Sequence, residues 1–479
     1  MLKPPAPTVI GIKWLTLFMP TLLLFSAFSS AAQAIPAFAR KYDLSCTSCH
    51  TKAPRLNAFG EAFHMAGYQI PQTEEGELRE KRQIGRIVSE KTFLNIFALR
   101  ATGNFVESIS GGHPPETNLA LPREIELYFA GTFTEDVSYF FNLSHETDTI
   151  EGIDNGRFEK TTAFGLGKEF FLMFDLSPSH RGTGNMHAMT MTGPMRMGPM
   201  IMVGKVDPST NFSYPTNRQF ILDQPGRIDT NNGTIQRFTF SPYAFSAKFF
   251  GLSTGEGNTI EVTRGVLYNT PGDFGIDVHA MLGRFMLQTG VMQGVEAGSS
   301  DVNEKKDPYV VTRVNFGSRN YFSGSASALA YWGNDTAQVG NDLIDWFRTG
   351  VSGNIKYKLL DLYGAFIWDK ISGLPATLKN GASTSATASA FDETAFGMTL
   401  ESDFILTDRY LLSLRYDRMD AGGFANQKAD GEVLTLQLRK YFRDNYAVYL
   451  RDSVNIGRVS TNPLQNFRNL IALGVDLDF

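Results

Sequence analysis

The last twelve residues constrain the fold more than any other stretch of the chain. From Arg468 to Phe479, the residues Ile471, Leu473, Val475, Leu477 and Phe479 fall on one face of an extended chain. Ala472, Gly474, Asp476 and Asp478 fall on the other. A strand that turns aliphatic groups one way and charges the other has apolar surroundings on one side only. The pattern recurs. Tyr410, Leu412, Leu414 and Tyr416 alternate with Ser413, Arg415 and Asp417, and Leu434, Leu436 and Leu438 with Thr435, Gln437 and Arg439. In the first set tyrosines bracket the aliphatic pair, as aromatic girdles do at membrane surfaces.

The connections between these segments alternate in length. Arg443-Asp444-Asn445, Ile405 to Arg409 and Gly317-Ser318-Arg319-Asn320 are tight, whereas Ala421 to Gly431, Ile371 to Phe391 and Val295 to Asp307 are long and polar. Short turns at one end and long loops at the other are the habit of outer-membrane barrels, with the short turns in the periplasm. The expected fold is therefore all-β: a transmembrane antiparallel β-barrel of about sixteen to eighteen strands, the count being open between Gln236 and Gly294. A terminal Phe on an outward-facing strand is also the usual assembly signal of such barrels. Glycine (45 residues) and Phe (38) are abundant, only 19% of residues are charged, and no stretch after Ala34 is apolar enough for a membrane helix. A soluble all-β protein would not need the asymmetry of the connections. The net charge of −5 gives no reason to expect nucleic acid as a partner.

The N-terminus is built differently. Lys3 and Lys13 precede an apolar run from Trp14 to Phe28, which ends at Ala32-Gln33-Ala34. That is the layout of a cleaved export signal, 1–34; the run is short of the roughly 20 apolar residues that a spanning helix needs. The expected organisation is then a haem-binding segment at 35–72, a polar charged linker at 73–87, and the barrel at 88–479.

The haem expectation rests on the two cysteines. Cys46-Thr47-Ser48-Cys49-His50 is the C-x-x-C-H pattern of c-type haem attachment, with Cys46 and Cys49 as thioether sites and His50 as proximal iron ligand. A redox-active disulfide would want a βαβ context, which the residues around Cys46 do not offer. A zinc site would want further ligands nearby. Leu56 to Gly67 reads as a short helix with Leu56, Phe59, Phe63 and Ala66 on one stripe, and it carries His64 and Met65, either of which is a chemically suitable sixth ligand. Periodicity alone does not choose between them, and His64 is the distal candidate. Seven of the 16 methionines lie between Met186 and Met202. Thioethers select Cu(I), but such a run also serves as flexible apolar packing.

The segment Pro36-Ala37-Phe38-Ala39-Arg40 through Cys46-Thr47-Ser48-Cys49-His50, with Pro54-Arg55-Leu56-Asn57-Ala58-Phe59-Gly60 and Gly67-Tyr68, resembles the fused monohaem cytochrome–porins of bacterial outer membranes, the outer-membrane iron oxidases among them. The resemblance covers some 35 residues; the barrel is similar only in length, position and terminal Phe. It implies one covalent haem c in or at the mouth of the barrel, passing single electrons across the outer membrane. The donor would be extracellular Fe(II) or a similar species, and the acceptor a periplasmic c-type cytochrome or other carrier. The resemblance extends to Cys46, Cys49 and His50 but not to His64. A solute porin with a haem sensing or gating segment, and electron export to an external acceptor, use the same parts. No Ser/His/Asp constellation or carboxylate pair stands out to suggest a hydrolase.

Overall fold

The structure is a computed structural model. It describes residue 38, residues 44–68 and most of the chain from residue 97 to 478; residues 1–35, the linker at 73–87 and several long loops lie outside the described residues. Sixteen strands close into one barrel. They are β1 (Phe97–Gly111), β2 (Glu116–Thr132), β3 (Val137–Asp154), β4 (Arg157–Asp175), β5 (Arg196–Val206) and β6 (Asp273–Leu282). Next come β7 (Phe285–Met292), β8 (Asp307–Ser318), β9 (Phe322–Thr336), β10 (Leu343–Tyr357) and β11 (Leu360–Leu374). The last are β12 (Phe391–Thr407), β13 (Tyr410–Asp420), β14 (Asp430–Arg443), β15 (Tyr446–Asn455) and β16 (Phe467–Asp478). Every strand pairs antiparallel with its chain neighbours, and β16 closes on β1 from Phe467 opposite Gly111 to Asp478 opposite Arg100.

Closure satisfies the backbone polar groups between strands and leaves no edge, the condition for crossing a bilayer with strands. The two faces of the wall follow from the alternation. On β14, Leu434, Leu436 and Leu438 are exposed on the outside, while Thr435, Gln437 and Arg439 are buried inside. The same holds for Leu414 against Ser413, Arg415 and Asp417 on β13. An apolar exterior around a charged interior fits an outer-membrane barrel and no soluble core. Tyr410, Phe442 and Tyr446 belong to the aromatic residues near the tight-turn end, where Lys440 lies over the Tyr410 and Phe442 rings.

Both barrel termini, Phe97 and Asp478, lie at the end where β6–β7, β10–β11, β12–β13 and β14–β15 are joined by tight turns. In the first of these turns Gly283 takes φ 68°, which suits glycine. Three connections depart from the expected asymmetry. The link from Asp175 to Arg196 is long although it is at the tight-turn end, and those from Gly111 to Glu116 and from Asp154 to Arg157 are short although they are at the loop end. The segment whose strand count was open, Gln236 to Gly294, contributes two barrel strands, β6 and β7, and the later part of an excursion between β5 and β6. Its short pairs, Pro225–Asp229 with Ile235–Thr239 and Lys248–Thr254 with Asn258–Thr263, form separate two-stranded sheets outside the barrel ladder. From this excursion Phe212 is fully buried against β10, where Ser352 donates a hydrogen bond of 2.5 Å to its carbonyl.

An outward Leu at mid-strand on β14 tests the membrane face. Leu436→Arg is expected to destabilise the folded barrel by about 2–4 kcal/mol if Leu436 sits near the bilayer midplane. Reversible folding into lipid vesicles measures this; Gln437→Arg, on the lumen face, is the control expected to cost less.

Candidate functional site

The residues Cys46 to Tyr68 fold as a compact plug inside the lumen. One turn of helix, α1 (Cys46–Cys49), runs into a short strand (His50–Lys52) that pairs back on Arg55–Leu56. Asn57 then caps α2 (Ala58–Met65), its side-chain oxygen accepting from the Gly60 N–H at 3.0 Å. The same side chain donates to the Thr47 and Ser48 carbonyls at 3.2 and 2.9 Å, tying α2 to α1. The expected helix from Leu56 therefore starts later, at Ala58. Leu56 is held in the ladder opposite His50, and the Asn57 cap fixes where helical geometry can begin. At the helix crossing, a methyl on Gly60 would fall on the Cys49 carbonyl oxygen. Glycine is required there for close approach.

Cys46 and Cys49 stand three residues apart on one helical turn, so their side chains share a face. His50 is extended, and its Nδ1 lies 3.1 Å from the Pro54 carbonyl oxygen. A carbonyl only accepts, so Nδ1 carries the proton and Nε2 carries the lone pair, the arrangement in which a backbone carbonyl orients a metal-ligating histidine. Burial, with Cys46 adding to it, pushes the Cys49 thiol up to about 11. Thiolate-based redox or zinc chemistry needs the opposite shift. Among the described residues no group of three His, Cys, Asp or Glu could hold a metal ion.

His64 and Met65 are both buried, at 6% and 3% exposure, so burial does not choose between them. The His64 ring stands edge-on to Tyr68 at 5.2 Å. Tyr68 in turn stacks on Phe38 at 4.8 Å and on Phe140 of β3 at 4.9 Å, which carries the plug's aromatic packing into the wall.

The strongest contact between plug and wall is ionic. Arg55 is fully buried and meets Asp361 at 3.2 Å, Glu401 at 2.6 Å and Asp403 at 2.8 Å. Asp361 of β11 and Asp403 of β12 are direct cross-strand partners, a like-charge pair that is unfavourable without a cation between them. Glu61 of α2 pairs with Arg313 of β8, Tyr441 donates to the Ala53 carbonyl at 2.6 Å, and Lys356 donates to Thr51 Oγ1 at 2.9 Å. All these wall residues lie close to the tight-turn end; Glu401, the farthest, is six residues from Thr407 at the end of β12.

Of the methionine run, Met186 to Met195 lie outside the described residues. Met200 and Met202 are buried on the inner face of β5, with Met202 directly opposite Met173 of β4. A Cβ on Gly67 of the plug would approach the sulfur of Met173, the cross-strand partner of Met202, to 3.0 Å. Sequence reasoning missed His279 of β6, which also meets the plug, its Nε2 lying 3.0 Å from the Met65 carbonyl oxygen, and Asp277 beside it. The available signal was a polar pair at positions alternating with the outward Ile276 and Val278.

Arg55→Ala is expected to leave Asp361 and Asp403 without their cation, and Glu401 with Arg415 alone at 3.9 Å, at a cost of about 3–5 kcal/mol. The barrel should stay folded while the plug becomes cleavable, which limited proteolysis followed by mass mapping of residues 44–68 reads directly. Second, in the haem-free protein Cys49 is protonated below its raised value. Alkylation at Cys49 should be slow at neutral pH and accelerate as pH approaches about 11.

No protein-family model matches the sequence, and no curated protein matches it. Among solved structures the chain is similar to the anion-selective porin from Comamonas acidovorans, with 12% identity and a TM-score of 0.45 over 80% of this chain and 98% of that one. It is similar to OmpF of Salmonella typhi in complex with daunomycin, with 10% identity and a TM-score of 0.45 over 80% of this chain and 97% of that one. A third similar structure is a loop-deletion mutant of OmpT, an outer membrane protein of Vibrio cholerae, with 10% identity and a TM-score of 0.41 over 80% and 98%.

Proposed function

We propose that this porin-like outer-membrane barrel is a cytochrome–porin that moves single electrons across the outer membrane. Cys46 and Cys49 hold one haem c through thioethers, and His50 is its proximal ligand. The donor is extracellular, such as Fe(II), and the acceptor is a periplasmic c-type cytochrome or other carrier at the tight-turn end, which faces the periplasm. The observation that carries this reading is the plug itself. The C-x-x-C-H segment is folded inside the lumen, with its histidine already turned by the Pro54 carbonyl into a ligating tautomer.

The haem supplies a one-electron couple, suited to a donor that gives up one electron. The chain supplies the rest. Arg55 with its three carboxylates fixes the plug to β11 and β12, and Glu61 with Arg313 fixes it to β8. Phe63, Tyr68 and Phe140 stack in turn and carry the plug's second half onto β3. The wall gives a route through a membrane that neither Fe(II) nor a soluble carrier crosses.

A second reading, a solute porin gated by the haem segment, draws on the charged lumen wall, where Arg348 forms a two-bond pair with Asp369 at 2.7 and 2.6 Å. The two readings separate in cells. Haem-stained outer-membrane fractions should lose normal covalent haem in Cys46→Ala and Cys49→Ala while the barrel still inserts. Cells with the His50→Ala variant should reduce haem with external Fe(II) no faster than cells without the protein. Equal rates in wild type and His50→Ala would take the haem off the electron path and favour the porin reading. Reduction of external Fe(III) without Fe(II) oxidation would reverse the direction.

A further inference from the structure

Helix α2 ends in a tight, fully hydrogen-bonded turn. The Gly67 N–H donates to the His64 carbonyl at 3.0 Å and the Tyr68 N–H to the Phe63 carbonyl at 2.9 Å, with Gly67 at φ 67°. This is the Schellman arrangement, and it serves the carbonyls of Phe63 and His64. The carbonyl of Met65 belongs to the same last turn and is left to a partner outside the helix. That partner is His279 of the barrel wall, whose Nε2 donates to it at 3.0 Å.

His279 is held for this task. Its Nδ1 lies 2.9 Å from Asp277 Oδ1, so the ring and the carboxylate share a proton. The other carboxylate oxygen accepts from both Tyr309 and Gln288, and Gln288 lies 3.1 Å from the Tyr309 hydroxyl. All four side chains are buried to 1% exposure or less. Removing any member leaves buried polar atoms without their partners. A histidine donor at a helix C-terminus also meets the negative end of the helix dipole. The network stands on three adjacent strands, β6, β7 and β8, so the wall dictates where the last turn of α2 sits.

We infer that His279, oriented by Asp277, is a positioning residue: it clamps the final turn of α2 from the barrel wall and so sets the place of His64 as the distal haem ligand. This deepens the haem reading of Cys46, Cys49 and His50 and rests on it. His64 directly precedes the clamped carbonyl, and its own carbonyl is locked by Gly67. A ligand on a short helix within a removable plug gains a fixed position only through such ties to the wall. The same chemistry explains why the wall carries a histidine there, with a ring nitrogen that reaches a backbone oxygen, rather than a further aliphatic side chain.

The test uses the holoprotein in membranes or detergent, with haem content, the optical and magnetic spin-state spectrum and the midpoint potential as readouts. Wild type should carry covalent haem that is low-spin, and His64→Ala should convert it to predominantly high-spin. His279→Ala should keep its haem content but shift a large share from low-spin to high-spin and move the potential in the direction of His64→Ala. His279→Gln, whose amide reaches where Nε2 stood, should restore most of the low-spin spectrum. Asp277→Asn, nearly isosteric, should give a smaller shift and stands in if His279→Ala does not fold. In the His64→Ala background the His279 substitution should add nothing. A wild-type spectrum and potential in both His279→Ala and Asp277→Asn, or in His64→Ala, overturns the inference while leaving the haem in place. Wild type without covalent haem overturns the haem reading itself and the inference with it.

Discussion

The interior of this barrel is organised around one buried guanidinium. Asp361 and Asp403 face each other across two strands, and Glu401 adds a third carboxylate on the same inner surface. A wall with three inward carboxylates and no cation would be self-repelling in a low-dielectric space. Arg55 comes from a different part of the chain, more than three hundred residues away, and neutralises part of that charge at 2.6 to 3.2 Å. Such a pairing does not add much stability compared with an apolar wall of the same shape. It gives specificity: the plug has one seat, and only an arginine-bearing segment of the right shape occupies it.

The remaining contacts between plug and wall read as consequences of that seating. With Arg55 fixed, Ala53 comes within reach of Tyr441 on β14 and Thr51 within reach of Lys356 on β10, beside the clasp. On the far side, Glu61, Met65 and Tyr68 meet β8, β6 and β3 in turn. The plug thus touches walls on several sides of the lumen, and each contact has a different chemistry. Ion pairs hold one side, a backbone cap another, and stacked rings a third. The wall accommodates them because its inward positions are free of the apolar requirement that lipid imposes on the outward ones.

The outward requirement is also why the barrel was legible in the sequence. Alternation at Leu434 to Arg439 and Tyr410 to Asp417 reports directly on the two faces, since a strand has only two. The closing strand, read as Arg468 to Phe479, is found at Phe467–Asp478 for the same reason. The region from Gln236 to Gly294 resisted, because short paired segments outside the ladder alternate as barrel strands do and periodicity cannot tell them apart. The C-x-x-C-H signature was local and legible; the seat that holds it was not. Asp361, Glu401, Asp403 and His279 are polar residues on inward faces, and nothing in a strand's own sequence says which of many inward charges meets the plug. The start of α2 shows a smaller version of this limit. Leu56 fits a helical stripe, but its ladder with His50 decides otherwise.

One topological detail bears on how such a molecule is assembled. The plug is tied to wall residues near the end of the barrel where β1 begins at Phe97. It thus sits close to one mouth of the cylinder rather than at its middle. The sheet can therefore roll up and close with its N-terminal portion still outside, like a bottle finished before its stopper is fitted. Chemistry that needs an accessible Cys46 and Cys49 then has a window of time set by docking rather than by strand closure. Seating of Arg55 among its carboxylates would be the step that closes that window.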